Sequence, residues 1–321
     1  MVVLNWNGAE DTCRCLDSID DSQYPNLRVI VVDNGSRAGQ VETIRQRNGD
    51  DIDRLIRNEE NVGYAAGNNV GIRHAIEDFD CEYVLVLNND TVVQPDSIGE
   101  LVRGAQRRSA GIVGPKIRSL EDRSQISEAG GTLYPWIAQH RLRGKGEEDT
   151  GQYDEPERVD FVSGACMLVR RDVFESIGLI PTFYFLQWED IDFCTAADRG
   201  GYDIVYWPDA VVYHDTNSSF EREGVTYPMV ARGFRNRIWY FRRYSSRMTK
   251  LLQFFAVSAV TLPVHFLYYC VFKRDARYLL RVFCGIYLGL INDIGEGPDP
   301  DPELNDVAEK AKHTPTCLSS K

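Results

Sequence analysis

Val29-Ile30-Val31-Val32-Asp33-Asn34-Gly35-Ser36 is the stretch that decides the fold. A β-branched run closed by turn-forming residues reads as a short strand ending in a loop. Upstream, Val2-Val3-Leu4-Asn5 reads as another short buried strand, and Ala9 to Ser22 carries a helical pattern. Strand, helix, strand is the opening of a parallel α/β sheet. The alternation continues with a helix near 38–48, a short strand near 53–57, a helix from Gly67 to Asp78 and the strand Tyr83-Val84-Leu85-Val86-Leu87. Sheets of this kind bind ligands at the carboxyl ends of their strands, where the strand order reverses.

Three strand ends are unusually polar: Asn5-Trp6-Asn7-Gly8, Asp33-Asn34-Gly35-Ser36 and Asn88-Asn89-Asp90-Thr91. Each alone is explained by turn chemistry, but three at successive strand ends suit a nucleotide. A carboxylate accepts hydrogen bonds from a base or ribose, and glycine lets backbone approach closely. No Gly-x-Gly-x-x-Gly follows the first strand, which counts against a nicotinamide or flavin enzyme.

The chain has 321 residues, 43% hydrophobic and 26% charged, a globular composition that excludes a disordered or collagen-like protein. Its eight cysteines show no Cys-x-x-Cys pair, so neither a zinc site nor a disulfide framework is indicated. The net charge of −12 argues against nucleic acid as a partner. That charge is unevenly spread. Met229 to Ile291 holds eleven Lys/Arg against the single acid Asp275, so this stretch is +10 and the remainder −22.

With these residues on view, the chain resembles glycosyltransferase family 2, and within it the rhamnosyltransferase-like branch. The resemblance is carried, in order, by Val3-Leu4-Asn5-Trp6-Asn7-Gly8, Val32-Asp33-Asn34-Gly35-Ser36, Asn61 to Asn69 (Asn-Val-Gly-Tyr-Ala-Ala-Gly-Asn-Asn), and Leu87-Asn88-Asn89-Asp90-Thr91. It continues through Ser163-Gly164-Ala165-Cys166-Met167, Trp188-Glu189-Asp190-Ile191-Asp192 and Val212-Tyr213-His214, and covers roughly residues 1 to 220. It implies a GT-A fold with a mainly parallel central sheet, a nucleotide-sugar donor (UDP-, dTDP- or GDP-linked), a divalent metal (Mn²⁺ or Mg²⁺) and inversion at the anomeric carbon.

By resemblance, Leu4, Asn5 and Trp6 line the base pocket and Asp33 holds the base or ribose. The family's Asp-x-Asp motif stands here as Asn88-Asn89-Asp90, which leaves Asp90 to bind metal and Asn89 to bond the ribose. A departing diphosphate needs a hard cation as Lewis acid, and oxygen ligands hold such a cation. His214, ending a strand from Asp209 to Tyr213, is a further metal or diphosphate ligand, or else a capped strand-end histidine. The segment from Gly63 to Asn69 leads into a helix whose N–H groups suit an anionic nucleotide, with Asn68 readable also as the helix cap. Some relatives carry a cation where Gly63 stands, so neutralising phosphate falls more heavily on the metal.

Inverting transfer needs a general base for the acceptor hydroxyl. Acids cluster at Glu189, Asp190 and Asp192 on a helix running to about Arg199. Such acids also favour a helix N-terminus for its dipole alone. They follow the aromatic run Phe183 to Trp188, read as a mobile sugar-stacking loop, and the family's base falls on Asp190. Glu189 then orients base or acceptor, Trp188 contacts acceptor, and Asp192 and Arg199 are structural. Residues 119–158 read as a long β-hairpin or loop over the acceptor cleft, with Trp136 and His140 as contacts.

The expected division is a catalytic domain over 1–228 (1–118 nucleotide-sugar-binding, 119–228 acceptor-binding), a basic apolar helical region over 229–294, and an acidic disordered tail over 295–321. Leu251 to Phe272 is 22 residues without a charge, but it is interrupted by polar residues and flanked by cations at both ends. Helices in the membrane interface are expected there, with arginines at anionic head groups and Trp239, Tyr240 and Phe241 at the boundary. The competing reading is ordinary core helices. A second apolar helix, Tyr278 to Ile291, is too short to span comfortably. No signal peptide opens the chain, and the true start is expected upstream, because only Met1 precedes Val2.

The expected function is thus a metal-dependent inverting glycosyltransferase at the cytoplasmic face of the cell membrane, acting on a lipid-linked or polysaccharide acceptor. The alternative is a nucleotide-sugar-binding scaffold without turnover in a membrane glycan-assembly complex.

Overall fold

The structure is a computed structural model that describes residues 1–215, 226–256, 259, 262–268, 276–291 and 293–294. The expected acidic tail lies outside the described residues, as does most of 257–275. The chain divides into two compact units: Met1–Leu133 with His140–Ser219, and Tyr134–Gln139 with the described residues from 226 onward.

The first unit is built on a ten-stranded sheet among the described residues. Its opening half follows the sequence pattern: β1 (Val2–Asn5), α1 (Ala9–Asp20), β2 (Ile30–Asn34), α2 (Gln40–Asn48), β3 (Arg54–Asn58), α3 (Tyr64–Phe79) and β4 (Tyr83–Asn88). These strands stand in the order β3-β2-β1-β4, all parallel. The chain runs one way from β1 to β3, then crosses back to place β4 on the other side of β1. That reversal puts the residues after β1 and β4 next to each other, at the position where such sheets bind ligands.

The other half departs from the expected mainly parallel sheet. Beyond β4 the order is β11 (Cys166–Arg170), β6 (Ile112–Ser119), β12 (Ile204–His214) and β10 (Glu157–Arg158). β11 is antiparallel to both β4 and β6, while β6 and β12 are parallel. The sheet is therefore mixed. β5 (Thr91–Val93) and β7 (Ile126–Glu128) pair antiparallel at its side, with β12 and β6 respectively. Helices α4 (Ser97–Arg108), α5 (Arg171–Ile177) and α6 (Glu189–Arg199) complete the unit, together with the short strands β8 (Gly131–Tyr134) and β9 (Gln139–Leu142). One face of the sheet packs on a core of Val3, Leu16, Val31, Leu85, Leu101 and Val205, each at most 4% exposed.

In the second unit, α7 (Thr226–Tyr244) packs against α10 (Ala276–Ile291), with α8 (Arg247–Ala256) and the single turn α9 (Leu262–His265) between them in sequence. Gly285 makes the close approach possible: a Cβ there would stand 2.2 Å from the Ala231 carbonyl oxygen. The aromatic cluster expected at a membrane boundary is instead buried, with Trp239, Tyr240 and Phe241 at 4%, 3% and 5% exposure. The packing is local: the buried Arg235 guanidinium sits over the Trp239 ring at 4.3 Å and donates through Nε and Nη2 to Asn236 Oδ1. Arg232 and Arg237 are buried as well, and burial lowers the Arg237 guanidinium to about 10. The turn Pro135–Ile137 belongs to this unit, held by Gln253 donating to the Pro135 carbonyl and Arg237 to that of Ile137. Trp136, expected over the acceptor cleft, is thus sited with the helices and is 64% exposed.

Among the described residues no helix is long and apolar enough to cross a membrane. What the helices do expose is ordered. On α8, Met248, Leu251, Leu252 and Phe255 are all at least half exposed; on α10 so are Leu280, Tyr287, Leu290 and Ile291, with Phe283 at 49%. Their spacings of three and four residues make a single outward apolar stripe on each helix.

Candidate active site

Asn5 organises the loop after β1. Its Nδ2 donates to Asp33 Oδ1 at 2.7 Å and to Ser36 Oγ at 3.1 Å, while its Oδ1 accepts from Thr12 Oγ1 and the Gly8 amide. Asp33 also accepts the Ser36 amide, and Arg57 lies 3.8 Å away. Both Asn5 and Asp33 are wholly buried. Asn5 and Asp33 therefore brace the loop from inside, while Leu4, Trp6, Asn7 and Gly8 are half-buried and form its accessible surface. Asn89 is drawn into the same lattice, donating to Gly8 O and Thr12 Oγ1 and so tying the β4 loop to the β1 loop.

Gly63 is held in a conformation that any side chain would strain. Its φ of +87° favours glycine, and a Cβ would meet the Phe185 carbonyl oxygen at 2.7 Å. The Gly63 amide donates to Asn61 Oδ1 within its own loop, and the Tyr64 amide to the Phe185 carbonyl of the loop before α6. The helix starts at Tyr64, a turn earlier than its pattern indicated. Asn68 is consequently not the cap: it lies inside α3, fully buried, donating to Tyr64 O.

The Asp90–His214 pair is made by the sheet. β5 leaves the Asp90 turn and pairs with β12 so that His214 lies opposite Thr91, and the Asp215 amide donates to Asp90 O. His214 Nε2 is 3.0 Å from Asp90 Oδ1. Burial works to lower the imidazole, but the hydrogen bond and charge of Asp90 together with the charges of Glu128 and Asp215 outweigh it, and the group stands above its usual value. Asn88 Nδ2 lies 3.5 Å from the same nitrogen.

Asp190 stands at the start of α6, half-buried, and both its oxygens accept main-chain donors: Oδ1 from its neighbour Ile191 at 2.8 Å and Oδ2 from Gly164 at 3.0 Å. Burial raises its carboxyl above the usual range, against those amides. A carboxylate made more basic and still reachable is what proton abstraction requires. Glu189 is nearly buried at 4%. Asp192 is buried and accepts from the Tyr184 hydroxyl at 2.7 Å, a structural bond.

The aromatic run before α6 is divided between buried residues and the part-exposed Phe185, Leu186 and Gln187. Phe183, Tyr184 and Trp188 are buried, and Trp188 packs edge-on to His140 at 4.9 Å. His140 thus packs on the residue just before Glu189 and Asp190. Phe185, Gln187 and Trp188 all adopt positive φ, a concentration of strain of the kind found at functional sites.

Two further side chains enter here that sequence reasoning missed. Tyr64 donates to the Gly164 carbonyl at 2.6 Å; burial first, then the charges of Glu189, Asp190 and Asp90, hold its hydroxyl protonated. Glu128, on β7, is 5% exposed and accepts the Ser163 amide at 2.9 Å. Burial pushes its carboxyl up to about 7; the Ser163 amide opposes this, the Asp190 charge adds to it and His214 opposes it. Tyr64 sits within a recognised motif, whereas Glu128 falls in a polar, turn-rich stretch with no local signal.

A parallel α/β half, a polar strand end bearing Asp90 and a half-buried carboxylate at the head of α6 fit a GT-A type sugar-transferase architecture. Residues 1–223 match the family described as Glycosyltransferase like family 2, and the chain belongs to that family of glycosyltransferases. It is 27% identical over 300 residues to the low-salt glycan biosynthesis hexosyltransferase Agl10 of Haloferax volcanii, covering 92% of each chain. It is also 27% identical to the N-acetylglucosaminyl-diphospho-decaprenol L-rhamnosyltransferase of Mycobacterium tuberculosis, over 89% of this chain and 97% of that one. Among solved structures, the mannosyltransferase PcManGT of Pyrobaculum calidifontis, in complex with GDP-Man and Mn²⁺, has the same fold (TM-score 0.55, 16% identity, 90% and 86% coverage).

Proposed function

We propose that the protein is an inverting, metal-dependent transferase that moves a sugar from a nucleotide-sugar donor to a lipid-linked or cell-surface glycan acceptor at the cytoplasmic face of the membrane. The observation that carries the reading is the placement of Asp90 and His214 at the β1/β4 reversal, in the same unit as an Asp190 made more basic by burial.

Asp90 and His214 fit a divalent cation, one offering a carboxylate oxygen and the other an imidazole nitrogen. No cluster of three His, Cys, Asp or Glu occurs among the described residues, so phosphate oxygens of the donor and water would complete the sphere, as is usual for Mg²⁺ at phosphate sites. When bound, the cation supplies Lewis-acid neutralisation of the leaving diphosphate. The chain's own step belongs to Asp190: it takes the acceptor hydroxyl's proton while that oxygen bonds to the anomeric carbon and the bond to the diphosphate oxygen breaks. The relatives named for decaprenol-linked and glycan substrates support the acceptor class.

The apolar stripes of α8 and α10, with exposed Arg243, Arg247, Lys250 and Arg277 in the same unit, support docking on an anionic bilayer surface. The test of function is hydrolysis and transfer across a panel of UDP-, dTDP- and GDP-sugars with Mn²⁺. Failure to turn over any of them would favour the scaffold reading.

A further inference from the structure

The segment Ser163-Gly164-Ala165 has its main chain tied on every side. The Ser163 amide donates to Glu128, the Gly164 amide to Asp190, the Gly164 carbonyl accepts from Tyr64, and the Ala165 carbonyl accepts the Asn88 amide. Ser163 Oγ also accepts the Ala165 amide, closing a turn within the segment. Asp190 is therefore not aimed by α6 alone. One of its two oxygens is held by a plate from another element, and that plate is fixed by the buried Glu128 of β7 and the half-buried Tyr64 of α3. The plate continues into β11, which pairs with β4, the strand leading to Asp90.

We propose that Glu128 and Tyr64 are positioning residues for Asp190, clamping the Ser163–Ala165 segment so that the Gly164 amide holds the base toward an acceptor hydroxyl. The proposal rests on Asp190 being the base. Glu128 acts here as an acceptor for one amide, a role that glutamine fills with the same shape, and Tyr64 acts through its hydroxyl, which phenylalanine lacks. Neither need touch substrate. A small displacement of a catalytic group is costly in rate, about 10²-fold for an ångström.

The experiment uses the full chain with Tyr64→Phe, Glu128→Ala and Glu128→Gln, each made also in an Asp190→Asn background. Melting temperature establishes folding, and calorimetry with the free nucleoside diphosphate establishes the donor site. Tyr64→Phe and Glu128→Ala are expected to lower kcat for transfer by about 10- to 100-fold. Nucleotide affinity should hold and the balance should shift from transfer toward donor hydrolysis. Glu128→Gln should stay within a few-fold of wild type. In the Asp190→Asn background the same substitutions should cost nothing further, since coupled residues are not additive. Wild-type kcat in both Tyr64→Phe and Glu128→Ala, or undiminished losses in the Asp190→Asn background, would overturn the proposal while leaving the base assignment standing. Transfer surviving in Asp190→Asn alone would remove the base assignment and this proposal with it. Should Glu128→Ala fail to fold, Tyr64→Phe, which removes a single oxygen, decides the matter.

Discussion

His214 Nε2 lies 3.0 Å from Asp90 Oδ1 because β5 carries the Asp90 turn directly into an antiparallel ladder with β12, setting His214 opposite Thr91. Two residues remote in sequence thereby become one hydrogen-bonded pair, which a divalent cation would enter as a shared site. Chelation with EDTA is expected to abolish transfer, and Mn²⁺ or Mg²⁺ to restore it. Asp90→Ala should lose turnover and metal-dependent donor binding together. Activity of that variant at the wild-type level in chelator would exclude a metal role for Asp90.

Asp190→Asn preserves shape but removes the proton acceptor, and its amide can accept only one of the two backbone N–H groups that Asp190 accepts. A general base contributes about 10² to 10⁴ in rate, so kcat should fall by that order while nucleotide affinity, read by calorimetry, holds. Transfer within a few-fold of wild type would move the base elsewhere. Asp192 is a poor successor because Tyr184 already occupies it.

The first half of the sheet was legible because its strands and helices are local patterns closed by local turn chemistry. The second half was not, since strand direction is not a local property and only pairing with β4 and β6 makes Cys166–Arg170 antiparallel. Motif order indicated Asp90, His214 and Asp190, but not the ladder and amides that hold them. Trp239-Tyr240-Phe241 beside arginines looks the same whether it meets head groups or folds under a buried Arg235, and only packing separates the two. Asn5 and Asp33 were legible as important residues; that they would bond each other required the β1–β2 register, which sets them side by side.

Gly63→Lys tests whether the missing cation can be restored. The φ of +87° together with a Cβ 2.7 Å from Phe185 O makes any side chain strained there, at about 1–3 kcal/mol. The melting temperature should drop and transfer should fall, because Phe185 belongs to the loop that leads to Asp190. A stable and more active Gly63→Lys protein would show that this contact is not limiting.

Glu128 gives stability a pH dependence of definite sign. Its carboxyl stands at about 7 in the folded chain against 4.5 ordinarily, chiefly through burial. Between those values the folded state keeps a proton that the unfolded state releases. Its contribution is therefore fully present below about pH 4.5 and is lost as pH rises through about 7, to a total of roughly 3 kcal/mol. Urea unfolding of the chelator-treated protein at pH 5 and pH 8 should show wild type losing ground to Glu128→Gln over that interval. A constant difference between the two would contradict the raised value.

The membrane reading now turns on individual residues, because deleting the helices would also dismantle the α7–α10 pair that Gly285 brings together. Leu251 and Leu280 are 51% and 68% exposed, so changing both to glutamate should leave the melting temperature nearly unchanged, as surface substitutions usually do. On a bilayer the same change places two charges in the apolar stripes and opposes an anionic surface. Each basic residue near such a surface contributes about 1 kcal/mol, a contribution that salt screens. Wild type should therefore float with anionic vesicles at low salt and less so at high salt, and the double variant should stay in the soluble fraction in both. Transfer to a lipid-linked acceptor should fall in the variant while donor hydrolysis is kept. A variant that floats as well as wild type would mean that these stripes meet something other than lipid.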